Sequence, residues 1–115
     1  MPIVISGEID LDPEAREKVL LEAKPLIDAA LAEKGCVHYA WSADLRRLGR
    51  VNVFEEWETE ADLAHHFSAE PYLKMGAHLA GAGMKNAATR KYRVDLIEPV
   101  FDPDGKPRAD FFTAQ

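Results

Sequence analysis

Residues 36–58 read CVHYAWSADLRRLGRVNVFEEWE. Val37, Tyr39 and Trp41 alternate with Cys36, His38 and Ala40; after a short connector, Val51, Val53, Glu55 and Trp57 alternate with Asn52, Phe54 and Glu56. This period of two predicts strands over 36–43 and 50–58. The connector DLRRLG is short enough for an antiparallel hairpin and offers Gly49 for a positive backbone angle. Both strands carry apolar residues on both faces, so each face of the sheet needs cover.

Upstream, Ile3, Ile5 and Ile9 alternate with Val4, Ser6 and Glu8, which predicts a first strand over 2–10. Asp12 followed by Pro13 is a helix start, because the carboxylate accepts an orphan N–H and proline lacks one in the first turn. A helix to about Lys34 follows, with the stripe Ala15, Val19, Leu20, Ala23, Leu26, Ile27, Ala30 and Leu31 and a stop at Gly35. The stripe stays in phase across Pro25, which predicts a kink there. Downstream, Thr59 with Asp62 three residues on caps a second helix that Pro71 breaks, and the early part of GAHLAGAG is helical. Tyr92, Val94 and Leu96 predict a last strand over 91–97.

The order β-α-β-β-α-β is the split arrangement of a ferredoxin-like α+β domain, a four-stranded antiparallel sheet with two helices on one face. Val51, Val53, Phe54 and the first-strand isoleucines cannot all face those helices, so a second copy covers the other face and a homodimer is expected. The segment 99–115 holds the turn-like DPDGKP and then Phe111 and Phe112, which are expected to pack on the domain or on the partner.

Composition narrows the function. The chain has 115 residues, 47% of them hydrophobic, and a net charge of -6, which suits one folded domain and disfavours nucleic acid as a partner. One cysteine, Cys36, excludes an intrachain disulfide and a thiolate zinc cluster. With no signal-like start or transmembrane-length apolar run, a cytoplasmic protein with no membrane partner is expected. No GxGxxG, GxxxxGK[ST] or GxSxG is present, and RVNVFEEWE lacks the basic, aromatic signature of RNA-binding strands. Among His38, His65, His66 and His78, His66 with Glu70 has helical i,i+4 spacing, but adjacent His65 and His66 point about 100° apart and no HExxH is present, so no metal site is expected.

The stretch VNVFEEWETEADLAHHFSAEPY, residues 51–72, carries the chemistry. A strand ends with Glu55 and Trp57 on one face, and the helix that follows returns Leu63, His66 and Phe67 toward it. An acid, an indole and an imidazole converging there suit deprotonation or orientation of an aromatic hydroxyl. In this reading Glu55 fixes the tautomer of the imidazole.

The pattern resembles the antibiotic biosynthesis monooxygenase family, which includes small quinol monooxygenases. Glu55, Trp57 and His66 match its E-x-W pair followed by a helical His, and Gly35, Cys36 and Tyr39 match its Gly-Cys-x-x-Tyr strand. The resemblance spans residues 2–98, implying a domain over 1–98 and leaving 99–115 as an extension. It implies a dimeric α/β barrel with a pocket between sheet and helices in each subunit. It also implies an enzyme that oxygenates a small quinol or polycyclic phenol with O2 and no flavin, metal or haem cofactor. Carried over by position, His66 is the candidate base or orienting group and Trp57 a donor and wall, with Glu55 and Tyr39 in support. Phe67 and Tyr72 complete the substrate-binding set. Relatives often place a second His or an aromatic soon after the helical His, where this chain has Glu70, Pro71 and Tyr72. Ser6 and Glu8 stand where the haem-degrading branch has Asn, which speaks against haem degradation.

The same residues have structural readings: Trp57 and Tyr39 as core, His66 as a satisfied buried contact, Glu55 as an ion-pair partner across the dimer. The competing function is a non-catalytic dimeric barrel that binds an aromatic small molecule.

Overall fold

The computed structural model describes residues 1–113. The strands are β1 (Ile3–Asp10), β2 (Cys36–Ala43), β3 (Arg50–Trp57) and β4 (Asn86–Arg93), and the helices α1 (Arg16–Leu31), α2 (Glu60–Ser68) and α3 (Glu70–Gly81). The strands form one antiparallel sheet in the order β2-β3-β1-β4. This is the expected ferredoxin-like α+β fold.

Helix α1 begins later than expected. The Asp12 carboxylate does accept the Glu14 N–H, at 2.9 Å, but residues 13–15 form a turn and the helix opens at Arg16. The Arg16 guanidinium then donates to the carbonyls of Asp44, Arg47 and Arg50, at 2.9, 2.8 and 3.2 Å, and so fastens the β2–β3 connector to α1. The helix continues past Pro25 as one element to Leu31 and buries Val19, Ala23 and Ala30.

Two boundaries differ from expectation. Pro71 does not break a helix. The break falls two residues earlier at Ala69, whose extended backbone ends α2, and Pro71 sits in the first turn of α3, where its missing N–H has no helical partner to lose. The last strand begins at Asn86 rather than Lys91, because β1 sets its extent: Asn86 pairs with Asp10 and Arg93 with Ile3. Beyond that register the pairing continues by one backbone bond at each end, Lys85 N–H to the Asp10 carbonyl and Val94 N–H to the Pro2 carbonyl, both at 2.9 Å.

The register also corrects the distribution of apolar residues. Ile3, Ile5 and Ile9 lie beside Trp57, Glu55 and Val51, and Gly7 lies beside Val53, so all of these share the helix-facing side. They pack with Leu11, Val19, Ala23, Met75 and Leu79 toward one end, and with Ala30, Tyr39 and Leu63 toward the other. Burying each large aliphatic side chain contributes about 1.5–3 kcal/mol. Phe54 alone of the expected set faces away, beside Ser6 of β1, on the face that also carries the neighbouring pair Val4 and Tyr92.

Beyond β4 the chain builds a small ordered arm. Phe101 bridges to Pro107, the Asp102 carboxylate accepts the N–H groups of Asp104 and Lys106, and the Glu98 carboxylate accepts those of Phe112 and Thr113. Phe112 is half-buried under the Arg108 guanidinium, 5.4 Å from its ring centroid, whereas Phe111 is 62% exposed.

Two glycines on opposite sides of the same packing should respond oppositely to alanine. A Cβ on Gly7 would stand 2.1 Å from the Ala88 carbonyl oxygen, so Gly7→Ala must push β4 from β1 and should cost about 1–3 kcal/mol. Gly76, inside α3, has open space at that position, and Gly76→Ala should add about 0.5–1 kcal/mol. Urea midpoints measured at constant m-value check both signs.

Candidate active site

On the helix-facing side of β3, Glu55 and Trp57 are two residues apart, and the Trp57 Nε1–H donates to Glu55 Oε1 at 3.0 Å. Glu55 lies between Ile5 of β1 and Tyr39 of β2. It is buried, and its carboxyl pKa is raised, chiefly because burial disfavours the charged form; the Trp57 bond and His66 act the other way. Among the described residues Oε2 has no hydrogen-bond partner.

Helix α2 delivers the imidazole. Thr59 takes an extended conformation and its Oγ1 accepts the Asp62 N–H at 3.0 Å, which fixes the first turn and puts Leu63 and His66 on the buried side. His66 is 1% exposed. Its ring lies over the Trp57 indole with centroids 4.4 Å apart, and Tyr39 and Tyr72 meet it edge-on at 5.5 and 5.3 Å. Nδ1 lies 3.0 and 3.2 Å from the two Glu33 oxygens. A carboxylate only accepts, so Nδ1 bears a hydrogen and donates it to Glu33. Nε2 is buried with no partner among the described residues.

A cavity of about 420 Å³ opens between the sheet and α3. Tyr39, Trp41, Glu55, Phe67, Tyr72 and Met75 form its working wall. His66 and Trp57 do not line it; they form a second tier in contact with Tyr39, Phe67 and Tyr72. Sequence spacing therefore identified residues that do come together, but on two levels. The assignment of Glu55 to the imidazole is corrected: Glu33 holds the His66 ring, and Glu55 holds the indole of its own strand.

Glu33 and Trp41 were not singled out by sequence. Glu33 lies in the turn after α1, and no local pattern links it to His66 33 residues away. Trp41 follows Tyr39 on the same strand face, and its Nε1 is buried without a partner among the described residues. The alternation of β2 was the available signal.

The Tyr39 hydroxyl is held protonated by burial and by the neighbouring Glu55, so it presents a donor to the cavity. The Cys36 thiol is pushed up to about 11, mainly by burial, which keeps it from acting as a thiolate nucleophile. Among the described residues no three His, Cys, Asp or Glu side chains form a metal-binding group, and no helix is long and apolar enough to cross a membrane.

The raised Glu55 pKa sets a pH dependence. The folded state holds this proton more tightly than the unfolded chain, so the Glu55 contribution to stability falls as pH rises above the ordinary carboxylate range. Glu55→Gln keeps an oxygen for Trp57 and removes the charge. Its stability relative to the unmodified protein should therefore improve from acid to neutral pH, and paired denaturant titrations across that range would show it; a constant difference would contradict the assignment.

Comparison with known proteins places this geometry. The family model of antibiotic biosynthesis monooxygenases matches residues 2–78, ending within α3. YcnE of Bacillus subtilis (strain 168), a provisionally named monooxygenase, is 37% identical over 68 residues, 56% of this chain and 67% of that protein. An uncharacterized Synechocystis protein is 31% identical over 72 residues, 63% of this chain, and the match spans only 48% of that relative's length. Among solved structures, a conserved protein from Methanosarcina mazei Go1 superposes with a TM-score of 0.73 at 24% identity, covering 81% of this chain and 92% of its own. A provisionally named antibiotic biosynthesis monooxygenase from Deinococcus radiodurans gives 0.78 at 17% identity, covering 89% and 100%. At those identities the structural likeness is one of fold. The family match covers well over half of the chain, and with the fold and the Glu55, Trp57 and His66 arrangement in place, this protein belongs to the antibiotic biosynthesis monooxygenase family.

Proposed function

We propose that the protein is a monooxygenase that oxidises a small quinol or polycyclic phenol with O2, and that it works as a cytoplasmic homodimer without a bound cofactor. The observation that supports this reading best is a buried carboxylate of raised basicity, Glu55, on the wall of an otherwise largely apolar cavity wide enough for an aromatic ring system. The dimer reading draws on the uncovered sheet face with Val4, Phe54 and Tyr92, and the cytoplasmic one on the lone Cys36.

In this mechanism Glu55 Oε2 takes a proton from the substrate and leaves an electron-rich anion, which needs no other reductant for O2. Electrons pass from the anion to O2, a carbon–oxygen bond forms, and the peroxide O–O bond breaks. One oxygen stays on carbon as a carbonyl and the other leaves as water, which takes back the proton held by Glu55 and gains the remaining proton lost from the oxygenated carbon. A ring CH2 becomes C=O, or a quinol becomes a hydroxyquinone, with one water formed per O2. Trp57 fixes the other Glu55 oxygen, and the Tyr39 hydroxyl donates to the developing oxyanion. Phe67 and Tyr72 hold the rings, and the apolar wall excludes water. His66, clamped by Glu33, acts as a positioning residue through its contacts with Trp57, Tyr39 and Tyr72.

Oxygen uptake by metal-stripped protein, measured over a panel of reduced quinols and anthrone-like phenols and corrected for autoxidation, should be saturable and yield oxygenated product. Glu55→Gln should lower kcat about 10²- to 10⁴-fold, the usual worth of a general base. His66→Ala should lower it less and leave the dimer intact. A larger loss in His66→Ala would make the imidazole the base, and absence of uptake with retained binding would indicate the non-catalytic role. In the active protein kcat/KM should fall as pH is lowered through a pKa above the ordinary carboxylate value, and Glu55→Gln should lose that limb.

A further inference from the structure

Every residue of β4 is exposed. On its helix-facing side Ala87, Thr89, Lys91 and Arg93 follow one another, and between this edge and α2 lies a second hollow of about 440 Å³. Its walls include Ile3, Leu63, Ala64, Phe67, Lys91 and Arg93, and Phe67 is common to both hollows. Glu55, Ile5 and Lys91 form one row across β3, β1 and β4. Lys91 therefore stands two strand spacings, about 10 Å, from the candidate base on the same face.

The charge of this hollow runs against that of the chain, which is -6 overall. Lys91 lines the hollow and has no ion-pair partner among the described residues, so its charge is available to a ligand there. Arg93 meets Glu60 at 3.6 Å, with side chains 70% and 71% exposed, a pairing too weakly held to resist an incoming anion. Two cations opposed by one carboxylate leave a site suited to a single negative charge, set beside apolar and aromatic walls.

We infer that the ligand of this protein is an aromatic carboxylic acid. Its fused rings lie in the first cavity with the hydroxyl at Glu55, and its carboxylate reaches past Phe67 to Lys91 and Arg93. The placement of the hydroxyl rests on the function proposed above; the anion subsite rests on the second hollow and its charges alone. Lys91 and Arg93 thus set specificity at the cavity mouth and take no part in proton transfer.

Equilibrium binding of 2-naphthoate and of neutral 2-naphthamide, followed through the fluorescence of the protein's tryptophans, tests this without turnover. The naphthoate should bind about tenfold to a hundredfold more tightly, the worth of charge-assisted hydrogen bonds. Added salt should narrow the gap. Lys91→Met with Arg93→Gln should abolish the preference and leave naphthamide affinity unchanged, which also shows that the variant is folded. Equal affinities, no binding of either probe, or a preference that survives in the double variant would overturn the inference. A naphthoate preference without oxygen uptake would leave the anion subsite standing and remove the reaction; uptake without the preference would do the reverse.

Discussion

The carboxylate of Glu55 sits on the face of the sheet that β3 otherwise fills with Val51, Val53 and Trp57, and the cost of that placement organises its surroundings. A buried polar group with no hydrogen bond costs several kcal/mol, more if it is charged. The Trp57 N–H satisfies one oxygen, the neighbouring imidazole opposes the loss of charge, and the cavity leaves the other oxygen approachable. Burial raises the basicity of the group while the hydrogen bond holds it in place, a combination suited to a proton acceptor.

The second tier gives that wall its rigidity. Trp57 and His66 are both fully buried and stacked, and His66 is clamped by Glu33, so the rings of Tyr39 and Tyr72 rest on groups that cannot easily move. The clamp joins the turn after α1 to α2, and the cap at Thr59 joins α2 to the end of β3. Three parts of the fold thus determine where one imidazole stands.

Two regions of the sheet lie outside the helical layer. The far face carries Val4, Phe54 and Tyr92 among polar residues, a surface that a second copy would cover at modest apolar gain. The β4 edge instead presents Lys91 and Arg93, and charged residues along an exposed edge also discourage strand-to-strand aggregation. The two surfaces differ in chemistry, and a partner copy on one leaves the other free for a ligand.

The alternation in residues 36–58 and the cap at Thr59 were enough to establish the hairpin and the start of α2, because strand periodicity and capping are local; the family showed through the spacing of Glu55, Trp57 and His66 and of Gly35, Cys36 and Tyr39. The approach of Glu55, Trp57 and His66 was legible for the same reason: they lie within 12 residues across one strand-to-helix turn. The true start of β4 was not, since its small residues Ala87, Ala88 and Thr89 carry no alternation and its extent is set by pairing with β1. Nor was the helical role of Pro71, which depended on where α2 ended. Sequence by itself determined which side chains share a face, a matter of period. Only the tertiary structure decided that Glu33 rather than Glu55 holds the imidazole, and that Glu55 rather than His66 meets the cavity. Both depend on how α1 and α3 pack over the sheet, and packing brings together residues that no local spacing relates.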